Sequence, residues 1–83
     1  MSTAKKLNKS NFVRTPFGAF NKNHVISITP TDSGVAVFGD GNALIFWLEE
    51  KDEKKARKVA DALTDAVIDG AKLDWKQLGY VPA

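Results

Sequence analysis

The chain has no cysteine, a single histidine and only three prolines among its 83 residues. Without cysteine there is no disulfide to support the fold, no thiolate nucleophile and no thiolate metal ligand. One histidine, His24, with no carboxylate within four residues of it, excludes a zinc site by the usual ligand spacing. It also leaves Ser27, three positions along and on the opposite side of a strand, as the nearest hydroxyl, which is no catalytic triad. No apolar run is long enough to span a bilayer, and the start, Met1 to Lys6, has no apolar stretch behind it. The expectation is therefore a chain with no signal peptide, no membrane span and a cytoplasmic location. No glycine-rich phosphate loop is present, since Gly39 and Gly41 lack a third glycine and precede a strand. The run Gly39-Asp40-Gly41-Asn42 lacks the alternating acids of a calcium loop. No metal, cofactor or enzymatic activity is expected.

A chain of this length is one domain, and a small one buries only about 60% of the surface its unfolded form exposes. Charge is divided unevenly. Residues 1–31 carry Lys5, Lys6, Lys9, Arg14 and Lys22 and no acid, whereas the remainder holds seven bases and ten acids, leaving a net charge of +2. Residues 1–10 are polar and lysine-rich and read as a flexible basic arm, with residues 11–83 forming the domain.

Apolar patterning gives the elements. Phe12-Val13-Arg14 and Phe17-Gly18-Ala19-Phe20 flank Thr15-Pro16. Proline cannot donate to a ladder, so this region is an edge strand, a bulged strand or two short pieces. Asn21-Lys22-Asn23 reads as a turn. Val25 to Thr29 is β-branched and reads as a strand ended by Pro30, followed by a turn over Thr31-Asp32-Ser33-Gly34. Val35 to Phe38 and Ala43 to Leu48 bracket Asp40-Gly41, a strong type I′ hairpin signal. That turn predicts the pairs Phe38–Ala43, Val37–Leu44, Ala36–Ile45 and Val35–Phe46.

Ala56, Val59, Ala60, Leu63 and Val67 then recur at helical spacing, with Asp52 placed to cap the start and Gly70 to end the helix in left-handed geometry. Lys54, Lys55, Arg57, Lys58, Asp61 and Asp65 are expected to face water. Glu49 and Glu50, being adjacent, are expected to end the preceding strand in solvent. Leu73 to Gly79 reads as a short helical turn, with Tyr80 and Val81 closing the core. The predicted fold is α+β: a four-stranded antiparallel β-meander, one amphipathic helix packed on it and a short C-terminal helical turn.

Strand alternation sorts the central hairpin into two apolar faces. One holds Val35, Val37, Leu44, Phe46 and Leu48. The other holds Ala36, Phe38, Ala43, Ile45 and Trp47. One alanine-lined helix roofs one face, assigned here to the side with Val37, Leu44 and Phe46. Burial of Phe38, Ile45 and Trp47 is worth on the order of 5–8 kcal/mol, comparable with the whole stability of a small domain, ~5–15 kcal/mol. Three covers suit the second face: the chain's own segment from Leu73 to Val81, the same face of a second copy, or another macromolecule. The small residues Ala36 and Ala43 favour an interface, and a homodimer is the expected partner state. The function expected is thus a small binding or regulatory module associating through Ala36, Phe38, Ala43, Ile45 and Trp47.

An alternative uses the basic front. Lys5, Lys6, Lys9, Arg14 and Lys22 interleave with Phe12, Phe17 and Phe20, a pattern that suits phosphate neutralisation with base stacking. Single strands are favoured over duplex, because no helix is basic on one clean face. The bland reading of the same residues is an edge strand with phenylalanines inward and charges outward. The helix stripe lacks the large aromatics of a membrane-surface helix.

Overall fold

The computed structural model of the chain describes residues 11–80. The fold is α+β, with five strands in two antiparallel sheets and one helix. Strands β1 (Phe12–Thr15) and β2 (Gly18–Asn21) form a two-stranded sheet; β3 (Val25–Pro30), β4 (Gly34–Gly39) and β5 (Leu44–Glu49) form a three-stranded sheet in that order. Helix α1 spans Glu53–Asp69.

The expected four-stranded meander is therefore corrected, and Pro16 explains why. It sits in a two-residue loop between Thr15 and Gly18, where no ladder hydrogen bond is lost. The Thr15 hydroxyl closes that loop, accepting from the Phe17 amide at 3.0 Å and donating to the Gly18 carbonyl at 2.8 Å. Residues 12–21 thus pair with themselves. A 3-10 turn over Lys22–His24, capped by the Asn21 side chain, then redirects the chain into β3.

In the β4–β5 hairpin the positive φ values fall on Gly41 (71°) and Asn42 (62°), one position later than a type I′ turn at Asp40-Gly41 requires. Asparagine tolerates this region better than most residues, so the later placement costs little. The loop closes with the Gly39 amide donating to the Ala43 carbonyl at 2.7 Å. Val35 consequently pairs with Leu48, Ala36 with Trp47 and Val37 with Phe46. The shift from the expected register is two residues, and an even shift keeps each side chain on its face. Nearer the loop, Phe38 pairs with Leu44 and the register slips by one. That bulge moves Leu44 off the helix-covered side, and 55% of its surface is exposed.

The helix follows the sequence expectation. Asp52 accepts from the Lys54 and Lys55 amides at 3.0 and 3.3 Å, and Gly70 ends the helix at φ 68°. Ala56, Val59, Ala60 and Leu63 are buried against Val35, Val37 and Leu48. The helix does not roof this face alone. The β1–β2 hairpin packs beside it, placing Val13 and Phe20 in the same core, with the Phe20 and Phe46 rings 5.2 Å apart.

The expected C-terminal helical turn is not formed as a helix. Residues 75–79 are successive hydrogen-bonded turns, closed by Leu78 N–H on the Asp74 carbonyl and Tyr80 N–H on the Trp75 carbonyl. Val81 and the expected basic arm at residues 1–10 lie outside the described residues.

Candidate functional site

Two surfaces merit description: the sheet face opposite the helix, and the region around the basic front.

On the sheet face, alternation and register set Ser27 and Thr29 of β3 beside Ala36 and Phe38 of β4, with Trp47 and Glu49 of β5 beyond. Trp47 lies across Gly34. A Cβ built on Gly34 would meet the indole Cζ2 and Cη2 at 2.7 and 2.8 Å. The indole is still 41% exposed, and Ile45 is 38% exposed. Of the five residues expected at an interface, Ala36, Phe38 and Trp47 share this face. Ile45 occupies the bulge, where its side chain lies over Gly39, and Ala43 is exposed at the end of the hairpin loop. Ala36 is nearly buried although it lies on the open side, as the cross-strand neighbour of Trp47. Gly34 therefore makes room for the chain's own indole, with the small Ala36 as the cross-strand neighbour of Trp47.

The C-terminal segment goes elsewhere. The Trp75 indole N–H donates to the Arg14 carbonyl at 2.9 Å. Tyr80 meets Trp75 and Phe17 edge to face, at centroid distances of 5.7 and 6.0 Å. These contacts seat residues 73–80 against β1 and the start of the helix, on the side already roofed. None of them reaches Trp47.

Around Tyr80 the polar groups form a compact set. Its hydroxyl donates to Glu50 Oε1 at 2.6 Å, and Lys55 Nζ stands 3.6 Å from the same oxygen and 4.4 Å above the Tyr80 ring. Glu50 and Lys55, both expected to face water, are thus drawn inward. The Tyr80 hydrogen bond, then the Asp52 amide and the Lys55 charge, hold the Glu50 carboxyl below its ordinary range. Burial, reinforced by the neighbouring carboxylate, pushes the Tyr80 phenol up. The set ties three segments together. A carboxylate already held by a phenol and an ammonium is a structural lock rather than a free acid or base.

His24 acquires a carboxylate through the fold, with Nδ1 3.1 Å from Asp40 Oδ2. Both side chains are largely exposed, and such pairs contribute little. No group of three or more potential metal ligands occurs among the described residues. No helix among them is long and apolar enough to cross a membrane.

Of the expected nucleic-acid-binding residues, Lys5, Lys6 and Lys9 lie outside the described residues. Arg14 and Lys22 are brought together at one open groove, which Phe12, Lys72 and Trp75 also line. Phe17 is separated from them. It sits at the β1–β2 loop beside Tyr80 and lines a different cleft with Trp47, Glu49 and Lys51. Nothing local in the sequence signals Lys72 or Trp75, because the return of that segment to β1 is a contact across 61 positions.

Comparison with protein-family models, characterised proteins and solved structures finds no match for this chain.

Proposed function

We propose that this chain is a binding module, not an enzyme, and that it pairs with a second copy of itself through the sheet face bearing Trp47. The observation that carries the reading is the uneven roofing of the sheet. Helix, hairpin and C-terminal segment all gather on one side, while Trp47 and Leu44 on the other stay 41% and 55% exposed. Among the described residues this face carries no lysine or arginine, which suits neither phosphate nor an acidic partner. Among the described residues Glu49 is its one charge, and Glu50, already tied to Tyr80, and Lys51 line the cleft beside it. Two copies related by a two-fold axis can set the Glu49 of each opposite the Lys51 of the other, so the rim is self-complementary.

The exposed parts of these two side chains amount to roughly 150–200 Å² per copy, worth about 4–5 kcal/mol at ~25 cal/mol per Å². Two copies double this, against an association cost of about 4–15 kcal/mol. The two are of the same size, so the pairing proposed is weak and reversible, which fits a regulator that acts by occupying a surface.

Sedimentation equilibrium over a dilution series tests this. The expected result is a shift from 9.1 kDa towards twice that mass as concentration rises. Trp47→Glu and Leu44→Lys should each stay monomeric while keeping the helix signal in circular dichroism. A 9.1 kDa particle at every concentration up to millimolar overturns the proposal. So does self-association that both variants retain.

A further inference from the structure

We propose that the groove between β1 and the segment after the helix binds single-stranded nucleic acid. This surface is separate from the Trp47 face and does not depend on that face pairing. The groove is open, with a volume of about 560 Å³. Arg14 from β1, Lys22 from the 3-10 turn and Lys72 from the chain beyond Gly70 converge on it, and no aspartate or glutamate is among the described residues that line it. Three cations from three segments, without an acid among them, form a site for an extended polyanion.

The aromatic rings select which polyanion. Phe12 and Trp75 line the same groove and are only partly buried. Trp75 is pre-set, its N–H fixed on the Arg14 carbonyl and its ring braced edge-on by Tyr80 at 76°. A fixed ring loses little freedom on binding. Unpaired bases offer π-faces that stack on such rings while the phosphates meet cations. A duplex keeps its base faces occupied by its own neighbours, and an acidic peptide has no comparable planar groups. Charge continues along the chain in the same sense, since Lys5, Lys6 and Lys9 precede β1 in sequence and residues 1–31 contain no acid.

The test is fluorescence anisotropy of a labelled oligothymidylate titrated with the full chain at several salt concentrations. The groove variant is the triple Arg14→Gln, Lys22→Gln and Lys72→Gln. The control removes the same charge from the outer helix face, by Lys54→Gln, Arg57→Gln and Lys58→Gln. The groove variant should bind at least about tenfold more weakly at low salt, with its log–log salt slope shallower by about 2, at roughly 0.7 per lost phosphate contact. The control should stay within about threefold of wild type, its charges being outside the proposed contacts. Trp75→Leu should weaken binding by about fivefold or more through lost stacking. Helix content by circular dichroism checks that each variant is folded. Absence of binding at low salt overturns the proposal. Equal losses in groove and control variants also overturn it, as does polyglutamate binding as tightly as the oligonucleotide.

Discussion

Gly34→Ala is the sharpest single test of how the three-stranded sheet is packed. Gly34 opens β4, accepts from the Thr31 amide at 2.7 Å and receives the Thr31 hydroxyl at the same carbonyl. A Cβ there would lie 2.7 Å from Trp47 Cζ2 and would clash outright with the Leu48 carbonyl oxygen. Carbon atoms in contact sit about 3.5–4.0 Å apart, so the indole must withdraw by about 0.8 Å or more. The ring has open space to do so. The Leu48 carbonyl belongs to the β5 backbone and has none. Overpacking of this kind costs about 1–3 kcal/mol, and replacing glycine returns about 0.4–1 kcal/mol through the unfolded chain. With some weakening of the local ladder, the net loss is about 2 kcal/mol. That lowers the melting temperature by about 8–16 °C in a domain of this size. The assay is thermal and urea unfolding followed by far-UV circular dichroism, repeated in a Trp47→Ala background. Because the backbone contact dominates, the cost should fall by less than half in that background. A melting point within about 2 °C of wild type would refute the reasoning, as would a cost that vanishes once the indole is removed.

Tyr80→Phe should lower stability by about 1–2 kcal/mol near neutral pH, the scale of a hydrogen bond to a charged group. The folded Glu50 carboxyl lies below its unfolded value, so its share is present above about pH 4.3 and is lost as pH falls through the folded value. The folded Tyr80 phenol lies above its unfolded value, so its share is present below about pH 10 and is lost as pH rises beyond it. Urea midpoints against pH should therefore show a wild-type advantage that is flat between about pH 5 and 9 and shrinks on both sides. Asp52→Ala should cost about 1 kcal/mol by removing the helix cap, and Asp52→Asn should recover most of it in the same urea titration.

The elements were legible wherever the signal was local. Asp52, the stripe from Ala56 to Leu63 and Gly70 define a helix by cap, period and stop, all within nineteen consecutive positions, and the helix forms as expected. The split of β4 and of Phe46 to Leu48 into two apolar faces was legible for the same reason, since alternation is built into any strand, but the bulge at Ile45 turns Leu44 to the face opposite the one expected. The hairpin register was not. Asp40-Gly41 and Gly41-Asn42 are overlapping pairs that both supply tolerant residues for positive φ, and small differences in loop and bulge energy choose between them. Pro16 announced a break but not that the two pieces on either side of it would pair with each other.

By itself the amino-acid sequence determined that this small domain carries more apolar sheet than its one helix covers, and that its first third is basic. Only the tertiary structure decided where the remaining cover went. The β1–β2 hairpin and the segment from Leu73 to Tyr80 joined the helix on one side, leaving Trp47 half in water and drawing Lys72 and Trp75 to Arg14. The reason is one of range. Caps, turns and periods act between near neighbours, whereas the choice of face is made by packing between segments some sixty residues apart, as in Trp75 on Arg14.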